Sequence, residues 1–152
     1  MNNTLTESKG IVVSALFCCG KTYLCNTCTK YKCIDLDTIL NNASPNVYVN
    51  EIKKYLPQYD FIFIAPRPNV LRKLQKECLP YVSVFPKHNH DNYEEWRSRC
   101  MRRDSDRLHL SVLFNIMVCD MLKDKHAAAK YILNRTEYLS DIIDKIYEDF
   151  HK

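Results

Sequence analysis

The chain has 152 residues, 46% of them hydrophobic, enough for one domain with a buried core and too few for two comfortable ones. A formal charge of +4 suits anionic ligands such as nucleotides but is too small an excess to argue for duplex nucleic acid. Eight cysteines would read as disulfides in an exported chain; residues 1–9 carry no apolar export segment and no apolar run nears the roughly 18 residues of a membrane span, so a soluble protein of a reducing cytosol is expected.

After a polar start, residues 10–22 read Gly-Ile-Val-Val-Ser-Ala-Leu-Phe-Cys-Cys-Gly-Lys-Thr. Ile11, Val12 and Val13 predict a strand, 14–19 a loop, and Gly20, Lys21 and Thr22 the start of a helix. A phosphate-binding loop needs that order, because successive backbone N–H groups converge on an anion while a lysine reaches the terminal phosphates and a hydroxyl holds magnesium. The usual spacing is G-x-x-x-x-G-K-[ST]; here Ala15 replaces the first glycine, and Leu16 and Phe17 stand where small residues are usual. The chain has only two glycines, Gly10 and Gly20, and they bracket this segment, so Gly20 is expected to serve a close approach or a positive φ. The plain alternative is a buried strand followed by a helix that begins with Lys-Thr.

A first helix is predicted over 21–29, with Tyr23, Leu24 and Thr27 or Cys28 on one buried face. Cys33, Ile34 and Leu36 predict a strand ending in Asp35 and Asp37. Ligands of parallel α/β sheets bind at the carboxyl ends of strands, so this acidic pair would face the same crevice, suited to magnesium or a substrate hydroxyl. Ser44-Pro45 starts a helix that runs over 47–56 through Val47, Ile52 and Tyr55 or Leu56, closed by Pro57. The next strand is 61–65, ended by Pro66 and Arg67. Asn69 is expected to cap a helix reaching 78, with Val70, Leu71, Leu74 and Cys78 inward.

Another strand spans 81–85, followed by a polar break over 86–91. Residues 92–107 read as a helix with Arg97, Arg99, Arg102, Arg103 and Arg107, a density that invites a phosphate; a solvated face partnered by Glu94, Glu95, Asp104 and Asp106 is the competing reading. Trp96 is expected in the core, with base stacking as the alternative. An amphipathic helix follows over 108–123, carrying Leu110, Leu113, Phe114, Met117, Val118 and Met121. Tyr131 to Leu133 is a candidate fifth strand, and 136–150 a final helix. Cys33, Cys78 and Cys119 are expected to pack as small apolar groups. Cys25-x-x-Cys28 with its neighbouring cysteines, and His88-x-His90 with Cys100, are thin zinc candidates without a second knuckle.

Strand, phosphate loop, helix, strand with Asp-x-Asp, helix, strand with Pro-Arg, helix, strand and arginine-rich helix together resemble the P-loop nucleoside-monophosphate kinase superfamily. The similarity covers roughly residues 10–107 and is greatest to the small nucleotide-kinase-like proteins of bacteriophages. The resemblance implies an α/β, three-layer P-loop fold with a mostly parallel sheet of four to five strands, one domain, and an arginine-rich lid over about 86–107. It also implies ATP-dependent phosphoryl transfer, with ATP and Mg2+, to a nucleoside or deoxynucleoside monophosphate in the cytoplasm, the host's if the chain is viral.

Carried over by residue, Ala15, Cys18, Cys19, Gly20, Lys21, Thr22 and Tyr23 would surround the ATP, and Thr22, Asp35 and Asp37 the metal. Asp37, Arg67 and Arg72 would meet the acceptor. Lys21, Asp35, Asp37, Arg97, Arg102 and Arg103 would act in catalysis, since phosphoryl transfer spreads negative charge that fixed cations stabilise. No aspartate ends the third strand, and Asp60 stands at its beginning. A non-catalytic nucleotide-binding or interaction module with a degenerate loop, and a polynucleotide kinase, are the alternatives. No membrane partner is expected, and a homodimer is compatible with the chain.

Overall fold

Uninterrupted β-branched and aromatic runs, Ile11-Val-Val, Phe61-Ile-Phe-Ile and Tyr81-Val-Ser-Val-Phe, suit strands covered on both faces. In the structure, a computed structural model describing residues 10–40, 42–103 and 110–151, they form the middle of a five-stranded, all-parallel sheet. The strands are β1 (Ile11–Ala15), β2 (Cys33–Asp35), β3 (Phe61–Ile64), β4 (Tyr81–Pro86) and β5 (Ala129–Leu133), in the spatial order β2-β3-β1-β4-β5. Among the described residues the helices are α1 (Lys21–Thr27), the single turn α2 (Leu36–Ile39), α3 (Pro45–Tyr55), α4 (Pro68–Lys76), α5 (His90–Arg103), α6 (Leu110–Lys123) and α7 (Leu139–Phe150).

Alternation along the central strands divides the core. Ile11, Val13 and Ala15 of β1 and Phe61 and Phe63 of β3 pack in one cluster with Leu24 of α1, Trp96 of α5, Phe114 of α6 and Ile143 of α7. Val12, Ile62 and Ile64 pack in another with Tyr48 and Ile52 of α3 and Val70 and Leu74 of α4. The sheet is thus covered on both faces. From β1 the chain crosses to the edge strand β2 and returns to β3, then passes over β1 to β4 and outward to β5. The carboxyl end of β1 therefore lies where the connections diverge, the position at which such sheets open a crevice.

Several boundaries differ from the sequence expectation for local reasons. β2 stops at Asp35, because its carboxylate accepts the Asp37 N–H at 3.1 Å and starts α2; Leu36 belongs to that turn. α1 ends at Thr27, and Tyr23 is exposed rather than inward. In α3 the buried face is Tyr48, Val49 and Ile52, and Val47 points to solvent. Pro68 occupies the first turn of α4, so Asn69 is already inside the helix and accepts from Arg72 instead of capping. β5 does form, pairing Val84 with Tyr131 and Pro86 with Leu133, although its outer face, Lys130 and Ile132, is open. α7 begins at Leu139, where Tyr138 N–H meets Asp141 Oδ2 at 2.7 Å. Arg107, Asp104, Asp106 and Leu108 lie outside the described residues. No helix of the described residues is long and apolar enough to cross a membrane.

Cys33 and Cys119 are half-buried, whereas Cys78 is exposed. α4 closes two residues earlier than expected: Leu79 N–H bonds Leu74 O at 2.9 Å and Cys78 N–H bonds Gln75 O at 3.1 Å, with Cys78 at φ 55. That is a Schellman ending, whose left-handed position favours glycine. Cys78→Gly is therefore expected to stabilise the fold by about 0.5–1 kcal/mol, read as a higher urea midpoint at unchanged slope. A lowered midpoint would show that the cysteine side chain contributes packing there.

Burial pushes the Cys19 thiol from 9.0 up to about 12, despite nearby Lys21 and Arg99. Burial, with the hydrogen bond to Asp124, pushes the Tyr81 phenol from 10.0 up to about 12. Both pKa values are raised on folding, so the unfolded chain loses these protons first, and the stability they contribute is full below pH 9 and lost as pH rises through about 12. Urea midpoints measured across that window should fall steadily; a flat profile would show that neither group is held neutral by the fold.

Candidate functional site

The loop 16–20 leaves β1 at the crevice and is shaped by two left-handed residues, Cys18 at φ 63 and Gly20 at φ 98. A Cβ on Gly20 would meet the Tyr138 ring at 3.4 Å, an ordinary contact, so it is the backbone at φ 98 that calls for glycine. Gly10 answers a close approach instead, because a Cβ there would stand 2.7 Å from Leu56 O. Leu16 is fully buried and Phe17 packs on the core, its ring 5.0 Å from that of Trp96, so the loop's bulky side chains turn into the protein and not into the crevice. Trp96 Nε1–H donates to Phe17 O at 2.9 Å, and Leu139 N–H donates to Cys19 O at 3.0 Å. The loop is thereby pinned to α5 and to α7.

Lys21 is only 4% exposed and folds back over the loop: Nζ donates to Ala15 O at 3.0 Å and lies 3.4 Å from Asp37 Oδ2. Thr22 Oγ1 donates to Asp35 Oδ2 at 3.1 Å. The carboxylates at the end of β2 therefore meet Lys21 and Thr22 directly. The backbone N–H groups of Cys19, Gly20, Lys21, Thr22 and Tyr23 reach no acceptor among the described residues. Such amides need a partner from solvent or a ligand.

The other wall of this crevice is α5. Arg99 is buried, its guanidinium 3.7 Å from the centre of the Tyr138 ring and donating to Arg135 O at 3.1 Å and Glu137 O at 3.3 Å, with Glu95 beside it at 3.5 Å. Arg102 and Arg103 follow on the same face one turn later, and the three arginines, with Lys21, Thr22 and Tyr23, line a cavity of about 330 Å³. Arg97 is exposed on another side of α5 and does not line the cavity. Arg99 was legible as part of the five-arginine cluster, but only its packing on Tyr138 marks it out from Arg97.

Comparison with protein families, with curated proteins and with solved structures finds no match to this chain.

Of the remaining sequence candidates, Ala15 contributes its carbonyl and Cys19 is buried beneath the loop. Arg67 lies with its guanidinium 5.6 Å from the centre of the Tyr48 ring, and its buried Nη1 meets no acceptor among the described residues. Burial pushes the Tyr48 phenol up, and the neighbouring Asp37 pushes it further. Asp37 and Arg67 thus both lie near the buried Tyr48, on the side of the loop where Asp37 meets Lys21. Tyr48 was missed in the sequence because it reads as an ordinary core position. Arg72 does not join them: it is exposed and lines a separate groove between α4 and α6. Asp60 lies at the opposite end of the sheet, accepting Lys32 N–H at 2.8 Å.

Thr22, Asp35 and Asp37 offer only oxygen donors. One or two carboxylates with a hydroxyl suit a hard cation such as Mg2+, which keeps several waters and takes its other ligands from phosphate. The donor set fits that ion.

Proposed function

We propose that the chain binds ATP with magnesium in the crevice above β1 and transfers the terminal phosphoryl group to a small nucleotide, a nucleoside or deoxynucleoside monophosphate, held by Asp37 and Arg67. The reading identifies loop 16–20 with the P-loop of nucleotide kinases. One observation carries it: Lys21 and Thr22 stand against Asp37 and Asp35 on one side and beneath Arg99, Arg102 and Arg103 on the other, around open backbone amides. That is a set of fixed positive charges and N–H dipoles with two carboxylates at its edge.

In this reading the loop amides and Lys21 receive the phosphates, and Arg102 and Arg103 stabilise the charge that spreads over the transferred group. Arg99, held by Tyr138, orients that wall. Thr22 and Asp35 hold the magnesium ion, which neutralises phosphate charge. Asp37 accepts the hydrogen bond that orients the acceptor, and Arg67 pairs with the acceptor's anion.

A second reading, a nucleotide-binding module without turnover, is favoured by one feature: Lys21 Nζ is already engaged by Ala15 O and Asp37. The discriminating experiment incubates the protein with magnesium-ATP and a panel of nucleoside and deoxynucleoside monophosphates, nucleosides, sugars and DNA ends, and follows ADP. A melt with and without magnesium-ATP accompanies it. ADP formation with one acceptor class is the expected result. Stabilisation without turnover would favour the module, and neither effect would remove both readings.

A further inference from the structure

Cys18 and Cys100 come together from residues far apart in the chain: Cys100 Sγ on α5 lies 2.8 Å from Cys18 Sγ in the loop. A disulfide needs the sulfurs at about 2.05 Å, so bond formation asks the two sulfurs for only a small further approach. Cys18 is partly exposed and shares its cavity with Lys21, Arg99, Arg102 and Arg103, while Cys100 is fully buried behind it. Reactive thiols occupy partly exposed, electropositive surroundings, because the thiolate is the nucleophile. Burial pushes the thiols of Cys19, Cys25 and Cys33 up, which disfavours their thiolates.

We propose that Cys18 and Cys100 are a reversible thiol–disulfide modification site that ties the loop to α5 when the protein meets a low-molecular-weight disulfide such as oxidised glutathione. The Cys18 thiolate attacks one glutathione sulfur and expels the other as thiolate, leaving Cys18 in a mixed disulfide. The Cys100 thiol then gives up its proton, attacks Cys18 Sγ and expels the second glutathione. Two protein thiols are oxidised, one oxidised glutathione becomes two reduced molecules, and the two protons pass to the departing thiolates. The bond fixes the arginine-bearing wall to the loop opposite it. That this slows exchange of a nucleotide rests on the function proposed above; the bond itself does not.

The test equilibrates the full chain in glutathione buffers of rising oxidised fraction, blocks remaining thiols by alkylation and maps the products by mass spectrometry. The wild type is expected to lose the mass of two hydrogens and to yield one linked Cys18–Cys100 peptide pair, reversed by dithiothreitol. Cys100→Ser is expected to stop with glutathione on Cys18, and Cys18→Ser to give neither product. Should the buried Cys100 variant fail to fold, the wild-type map and Cys18→Ser still decide. Linkage of Cys18 to any other cysteine, or a Cys18 that stays alkylatable while exposed Cys78 is oxidised, overturns the proposal. Linkage is read by mass alone, so its failure is separate from a failure of magnesium-ATP to bind. Where reduced protein forms ADP, the linked form is expected to do so several-fold more slowly and to recover on reduction.

Discussion

Lys21→Ala is expected to lower phosphoryl transfer by at least about 10²- to 10³-fold, the usual effect of removing one preorganised charge from a transition state that develops negative oxygens. The effect is expected to be this large because Lys21 is buried at the start of α1 beside the open loop amides, where its charge is poorly screened by water. The same substitution should remove most of the magnesium-ATP melting shift, which for a ligand present at roughly a hundredfold excess over Kd corresponds to about 2.7 kcal/mol. Without nucleotide the variant should melt close to the wild type, because Asp37 is itself 33% exposed and regains water when its partner is lost. Lys21→Arg is not expected to rescue, since a planar guanidinium cannot occupy the space in which one ammonium meets a carbonyl 3.0 Å away. Equal turnover, or equal stabilisation, in wild type and Lys21→Ala would refute the assignment of this lysine and with it the function proposed.

Trp96→Ala should be the most destabilising single substitution, by about 3–5 kcal/mol. Trp96 is 1% exposed and touches Phe17, Tyr93 and Phe114, with ring centres 5.0, 6.4 and 5.2 Å away. It also supplies the bond that holds Phe17 O. Truncation therefore opens a large cavity and releases the loop from α5 in the same step, with a fall in melting temperature of roughly 10 °C or more. Trp96→Phe keeps much of the volume but loses the indole donor, at a cost of about 1–2 kcal/mol. The two variants separate packing from tethering: both should weaken nucleotide stabilisation in proportion to the lost Phe17 contact, measured below their own transitions. An alanine variant that melts within a degree or two of the wild type would show that this ring does not anchor α5.

Much of the architecture was legible because local patterns report on local burial. Apolar runs marked β1, β3 and β4, and the Gly-Lys-Thr step after the first of them marked the place where the chain turns from strand to helix. The acidic pair after β2 could be assigned to the same end of the sheet, since parallel strands bring their carboxyl ends together. Helix ends were less legible. Asp35 capping α2 and the left-handed Cys78 depend on hydrogen bonds that compete within one or two residues.

Residue pattern alone determined that this chain forms an alternating strand-and-helix sheet with a lysine and two carboxylates at one edge. The tertiary structure decided which side chains meet. Arg99 rather than Arg97 faces the loop because α5 is rotated to bury Trp96, and a helix's own periodicity cannot say which face a distant loop will cover. Tyr48 joins Arg67, Tyr138 stacks under Arg99, and Cys100 reaches Cys18 only once α3, α5 and α7 have docked on the sheet. Sequence spacing records the neighbours of a residue within its element; contacts between elements follow from packing, which no short stretch of chain contains.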